Sequence, residues 1–467
     1  MFTLVYSMQM DRGAECPSPA QIARYFTIVT ISLSSVILLN ILIFAGVFGS
    51  RFLFFERASA YGLCFDFLLV LEGAFGLFLL WRSGLLQSRR AWIVSLLLTA
   101  ITFTLRGMAF DYETLDYQNF LHPWCEFFRA NGGFRALDTP VGNYNIPYLY
   151  FLAAFSYLPI RDLYLIKLLS VFFDVVLAWS CAMLLGRVTG SRIRRLACYF
   201  TVLYLPTVFL NGALWGQCDG VYVALAVLAI YLALDERPVL SMLCITLAFG
   251  FKLQAVFVMP IYAVFWMQGK VSWKHFLIFP AAYVLLVLPA VLLGRPFLDT
   301  IMLYFNQTGS IGSGLNYNSS SVYAIFWQIR ETEPAATIGI VCAFFYVVNL
   351  LAVAWVNRRR LTDRAVIALA LLLAVGVPFM LPHMHDRYFY AADILSVVLA
   401  YAIPALWLAA PLTEFASFLG YHAYLKMRYL LPMRYGSTAL ILTLALTLIG
   451  FLASLSEEKK RRTKKRA

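Results

Sequence analysis

The amino-acid sequence predicts an all-α, polytopic membrane protein, and three observations carry that prediction. Of its 467 residues, 62% are hydrophobic and 13% charged, where a soluble domain has about 25% charged residues. Apolar runs near the roughly 20 residues that span a bilayer recur from end to end, and the mean hydropathy is +0.77. Lys and Arg sit in short clusters between those runs. The formal charge of +13 therefore reads as positive-inside loops and attraction to anionic membrane lipid, with no nucleic-acid partner.

The first run, 22–48, is too long for a secretory signal and lacks a small-residue cleavage site, so it reads as a retained helix. Further spans are expected at 60–81, 91–110, 162–186, 196–212, 219–235, 238–252, 254–269 and 276–293. After a gap come 335–357, 364–381, 388–404, 405–425 and 436–455, about fourteen in all. The basic clusters are Arg82/Arg89/Arg90, Arg187/Arg192/Arg194/Arg195, Lys270/Lys274, Arg358/Arg359/Arg360 and the tail KKRRTKKR. Placing every one of them inside puts both termini in the cytoplasm of a multi-pass cell-membrane protein. The chain then divides into additional N-terminal helices (1–90), a transmembrane core (91–404), C-terminal helices (405–455) and a basic tail (456–467). No internal repeat divides it further.

Eight cysteines at 16, 64, 125, 181, 198, 218, 244 and 342 lie scattered, with no CxxC or Cys/His ligand spacing. Neither a zinc site nor a disulfide framework is supported, and a bridge between Cys125 and Cys218 is not favoured.

Three segments break the helical pattern, and this topology places all three outside. The stretch from Phe110 to Pro147 holds Asp111, Glu113, Asp116, Glu126 and Asp138 out of 24 carboxylates in the chain. It is followed by Tyr148–Leu158, too short to span, which reads as an interfacial or re-entrant helix. The second segment, Arg295–Arg330, is rich in Gly, Ser and Asn and reads as a mobile loop. The third is the polar run around His383, His385, Asp386, Arg387 and Tyr388.

These segments point to chemistry on a polar substrate. A sugar hydroxyl is a poor nucleophile and benefits from a carboxylate that takes its proton. Asp111 and Asp116 both qualify, with Glu113 between them to orient substrate or tune the base. Tyr117 and Trp124 suit sugar stacking, although aromatics at a membrane interface are also ordinary belt residues. Trp215, Gln217 and Asp219 converge at a turn between two spans, and an intramembrane Asp is costly unless it is used. Lys252, followed by Gln254 in FKLQ, is costly at depth unless it pairs, faces a cavity or snorkels. Arg387 offers a bidentate guanidinium for phosphate, with His385 assisting. His383 and His385 are two apart and cannot share a helical face, so no metal is assigned. The plain alternatives are a solvated acidic loop, a polar hairpin turn around Trp215–Asp219, a snorkelling Lys252 and a mere turn at His383–Tyr388.

The order and spacing of the motifs resemble the GT-C superfamily of integral membrane glycosyltransferases. The carriers are Asp116-Tyr117-x-x-Phe120-Leu121-x-Pro123-Trp124 and Asn143-Tyr144-Asn145-x-Pro147-Tyr148-Leu149-Tyr150. Lys167 and Asp174, Trp215-Gly216-Gln217-x-Asp219, Phe251-Lys252-x-Gln254 and His385-Asp386-Arg387-Tyr388 follow. The likeness is to bacterial relatives of the second mannosyltransferase of GPI-anchor synthesis and to the dolichyl-phosphate-glucose-dependent glucosyltransferases. It implies a large first outer loop supplying the base, at Asp116 with Asp111 as second choice. It also implies an inverting transfer of a hexose from a polyprenyl-phosphate-linked sugar to a glycan, lipid-linked or protein acceptor. Arg387, His385 and Lys252 would then hold the donor phosphate. Glu113, Tyr117, Trp124, Asn143, Tyr144, Trp215, Gln217, Asp219, Gln254, His383, Asp386 and Tyr388 would line the substrate site. A divalent metal occurs in some members and is not favoured here. Two departures stand out: the helices before residue 90, and Asp386 where Glu is commoner. A transporter or flippase of lipid-linked sugars is the competing expectation; it predicts repeat-related polar sites at the midplane.

Overall fold

The computed structural model describes residues 60–307, 314–326 and 333–466. The expected span 22–48 lies outside the described residues. The described residues open with α1 (Ala60–Arg82) and α2 (Arg89–Met108), the latter capped by Ser88, whose hydroxyl accepts from the Ala91 amide at 3.1 Å. A loop with a π-helical turn at Tyr117–Leu121 leads into α3 (His122–Ala130) and α4 (Ile146–Phe155). Asn145 caps α4 and a proline stands in its first turn, so the short helix the sequence predicted at 148–158 forms a little earlier.

The centre of the molecule is α5 (Asp162–Gly186), followed by α6 (Arg192–Tyr204) and α7 (Pro206–Phe209). Pro206 cannot continue α6, and the chain bends by 50° there before a π-helical turn, Leu210–Trp215. Next come α8 (Asp219–Leu234), α9 (Pro238–Phe251), α10 (Ile261–Met267) and α11 (Trp273–Leu292). Two one-turn helices, α12 (Phe297–Ile301) and α13 (Leu303–Gln307), precede α14 (Glu333–Val356), α15 (Asp363–Met380), α16 (Tyr390–Ala402), α17 (Ala409–Lys426) and α18 (Arg434–Arg466). A two-residue parallel bridge joins β1 (Asn316–Tyr317) to β2 (Met384–His385). The loop predicted as mobile is thus tied in its described part to the third polar segment.

Among the described residues, six helices are long and apolar enough to cross a membrane, or seven if the bent α6–α7 pair is one span. About fourteen were expected. Four apolar helices, α4, α8, α9 and α16, run only 10–17 residues. The predicted span 254–269 is a 3-10 turn at Leu253–Phe257 followed by the seven-residue α10. Hydropathy registers apolar runs but not where the backbone turns within them.

Burial separates two kinds of helix. α5 and α15 are buried along most of their length, whereas α11 and α14 are mostly uncovered. α14 exposes Ile338, Phe344 and Phe345, as a lipid-facing helix does. The buried ionisable groups of α5, Asp162, Lys167 and Asp174, each have partners. Arg106, at the end of α2, donates to Asp174 of α5 at 3.2 Å and to the Leu203 carbonyl at 2.8 Å. Gly212 lies where a Cβ would come within 2.7 Å of the Asp174 carboxylate. Replacing Arg106 by Leu leaves that carboxylate buried without its cation, at a cost of about 3–5 kcal/mol. Thermal unfolding in detergent should show the loss, and the double replacement Arg106→Leu/Asp174→Leu should cost less than the single one. A double variant at least as unstable as Arg106→Leu would contradict the pairing argument.

Candidate active site

Four pieces of chain meet at one end of the bundle: the acidic loop after α2, the turn between α7 and α8, the break after α9, and the segment between α15 and α16. Asp116 stands half-buried just before the π-helical turn. Its Oδ2 accepts from Trp215 Nε1 at 3.0 Å and from Gln217 Nε2 at 2.7 Å. Neither donor touches Oδ1. The Asp116 amide donates to the Tyr424 hydroxyl at 3.1 Å, and Tyr424 stacks on Trp215 at 4.1 Å. Tyr144 donates to Gln217 Oε1 at 3.1 Å. That bond fixes the amide with its NH2 toward Asp116.

Gly216 makes this arrangement reachable. It closes the π-helical turn in the left-handed region, with φ of +76°, a conformation glycine adopts without penalty. The chain then reverses, so Gln217 faces Asp116 while Asp219 opens α8.

Asp219 has no solvent exposure and receives three cationic or amide neighbours. Lys252 Nζ lies 2.6 Å from Oδ1; Arg387 Nε and Asn211 Nδ2 lie 3.6 and 2.9 Å from Oδ2. Lys252 reaches it because the backbone leaves α9 in an extended conformation at that residue. Arg387 also approaches Asp386 at 3.4 Å and lies 5.1 Å over the Trp215 ring. That indole therefore joins the carboxylate side of the site to the guanidinium side. Arg387 Nε is buried with no hydrogen bond, and among the described residues the side chain makes one, although a guanidinium carries five donors.

The other predicted residues divide. His385 stacks on Tyr317 at 4.7 Å and lies 5.2 Å from Tyr388, beside Arg387. His383 has φ of +61° and ties the neighbouring loop, its amide donating to the Leu315 carbonyl and its ring to that of Gly314. Trp124 packs edge-on against Tyr144 at 5.6 Å. Gln254 is half-buried and makes no side-chain hydrogen bond among the described residues. Asn143 is exposed. Tyr117 points away, its hydroxyl donating to Asp162 at 3.1 Å. Glu113 pairs with Arg161 and accepts from Gln118 at 2.9 Å; the Gln118 bond foremost, helped by Arg161, holds its carboxyl below the usual range. Asp111 accepts from Tyr164 at 2.5 Å. Of the two proposed bases, Asp116 is the one bonded to the Trp215–Gln217 turn.

Tyr424, Tyr421 and Asn211 escaped the sequence reading. Tyr421 receives a bond from Asn211 at 2.8 Å and meets Trp215 edge-on. Both tyrosines come from α17, whose sequence shows only a hydrophobic helix. Cys125 and Cys218 are free thiols. No three His, Cys, Asp or Glu side chains converge as a metal site would need among the described residues.

Burial pushes the Asp386 carboxyl up to about 7 and the His385 imidazole down to about 4. The two act in opposite directions on stability. A raised carboxyl contributes fully below its unfolded value of 3.8 and loses that contribution as pH rises to about 7. A depressed imidazole contributes above 6.5 and loses its share as pH falls to about 4. Asp386→Asn removes only the first. Its unfolding temperature, measured against the unsubstituted protein, should therefore improve steadily between about pH 4 and about pH 7. A flat difference over that range would contradict the burial argument.

The family model for Glycosyltransferase family 87 matches residues 143–382. That stretch is just over half of the 467-residue chain. It contains Tyr144, Trp215, Gln217, Asp219 and Lys252; Asp116, His385 and Arg387 lie outside it and are folded against it. No curated protein and no solved structure matches the chain. With that family match, the chain belongs to glycosyltransferase family 87, a GT-C-type family of membrane glycosyltransferases.

Proposed function

We propose that this glycosyltransferase moves a hexose, mannose or glucose, from a polyprenyl-phosphate-linked donor to a hydroxyl acceptor, with inversion, on the extracytoplasmic face. The observation that carries the reading is a half-buried carboxylate fixed by two donors, next to two buried cations with unused donor capacity. In this reading Asp116 Oδ1 takes the acceptor proton while the acceptor oxygen attacks the anomeric carbon. The bond from that carbon to the phosphate oxygen breaks, and its electron pair leaves with the polyprenyl phosphate. Lys252 and Arg387 stabilise the departing charge, and a phosphate leaves without a general acid. Asp219 occupies one side of each cation, so the phosphate approaches the other. His385, neutral at pH 7, contributes a hydrogen bond rather than a charge.

Charge distribution supports the outward face. α5 runs from the site end at Asp162 to Gly186, and Arg187 beyond it pairs with Asp235 and Asp363. The Arg-rich clusters at 187–195 and 358–360 gather at that far end, where the positive-inside pattern expects the cytoplasm. The concentration of polar groups at one end also favours transfer over translocation. The proposed kinship with GPI mannosyltransferases and dolichyl-phosphate-glucose enzymes rests on the motif order. The acceptor class spans lipid-linked precursor, cell-envelope glycan and protein hydroxyl.

Purified protein given radiolabelled lipid-phosphate sugar and candidate acceptors tests the reading. Asp116→Asn should lower transfer by about 10²- to 10⁴-fold, the usual contribution of a general base, with expression intact; undiminished turnover refutes the assignment. Arg387→Ala should raise the donor KM more than His385→Gln does. A hydrogen bond to a charged group contributes about 1.5–3 kcal/mol, and a neutral one about 0.5–1.5 kcal/mol. The reverse order would overturn the division of roles.

A further inference from the structure

One face of α5 carries Lys167, Ser170 and Asp174, at the i, i+3 and i+7 spacing that aligns side chains along a helix. Lys167 has no solvent exposure. Its ammonium donates to the carbonyls of Ala109, Phe110 and Tyr112 at 3.0, 2.9 and 2.7 Å. These carbonyls follow the end of α2, where a cation is favoured by the helix dipole and by acceptors the helix leaves unfilled. One turn along, the Ser170 hydroxyl donates to the Gln217 carbonyl at 2.8 Å. Asp174 then packs against Gly212 and Gly220. A single rigid helix therefore grips both the segment that leads to Asp116 and the turn that supplies its two hydrogen-bond donors.

We propose that Lys167 is a positioning residue for the transfer reaction: through three backbone carbonyls it sets the register of residues 109–116 against the Trp215–Asp219 turn. The inference rests on the reading of Asp116 as the base. The three bonds of Lys167 run to the segment before Asp116, whereas Lys252 and Arg387 are held by Asp219, so the donor phosphate should bind normally when Lys167 is replaced, while the carboxylate drifts from the acceptor. A misplacement of about 1 Å costs on the order of 10²-fold in rate.

The test compares Lys167→Met and Lys167→Arg with the unsubstituted protein in the lipid-phosphate sugar assay, together with amide hydrogen exchange over residues 109–117. Lys167→Met should lower kcat by about 10- to 100-fold, leave the donor KM within about twofold, and speed exchange in that segment. Lys167→Arg, which keeps a charged donor, should recover part of both losses. If Lys167→Met does not fold, Lys167→Gln carries the same comparison. Unchanged kcat and exchange, or a kcat loss matched by a proportional rise in donor KM, would overturn the proposal. Activity surviving in Asp116→Asn would instead remove the base and leave the register standing on the exchange data.

Discussion

A carboxylate with no exposure to solvent persists in an apolar protein only where cations and donors reach it, and Asp219 obtains Lys252, Arg387 and Asn211. That requirement organises the end of the bundle. It draws in the break after α9 and the segment between α15 and α16, although these are far apart in sequence. Removing one of the two cations would leave a charge that water cannot reach under-compensated. The cluster thus joins three distant stretches of chain around one buried charge.

The carboxylate side is built differently. Asp116 stands in the first turn of a short helical segment that follows the loop after α2, so its position depends on contacts at several levels. Lys167 fixes the chain before it, the Tyr424 hydroxyl accepts from its amide, and Trp215 and Gln217 donate to its carboxylate. Trp215 is shared between the two halves, bonded to Asp116 on one edge and covered by Arg387 on its face. Buried aromatic and amide groups with their hydrogen bonds filled are well suited to hold charged groups at fixed spacing without flexible water between them.

Much of this was legible in the sequence because burying charge is costly. Lys252 and Asp219 stood out as charged residues in apolar surroundings and Arg387 as the guanidinium of a dense polar segment, and the three meet at one end of the bundle. Loop residues were harder, since composition does not say which way a side chain points. A π-helical turn carries Tyr117 toward Asp162, and Glu113 faces Arg161, though both share the segment of Asp116. Tyr421 and Tyr424 were invisible because a tyrosine on a hydrophobic helix gives no sign of a partner some 200 to 300 residues earlier. Among the described residues fewer long apolar helices appear than expected for a related reason: 254–269 is apolar enough, yet its backbone forms a 3-10 turn and a seven-residue helix.

Cryo-electron microscopy of the protein in lipid nanodiscs with a non-transferable lipid-phosphate sugar analogue examines the arrangement most directly. The phosphate should lie between Lys252 and Arg387, with the anomeric carbon on the side of Asp116 Oδ1. A phosphate bound away from both cations, or a sugar whose anomeric carbon faces away from Asp116, would contradict the account.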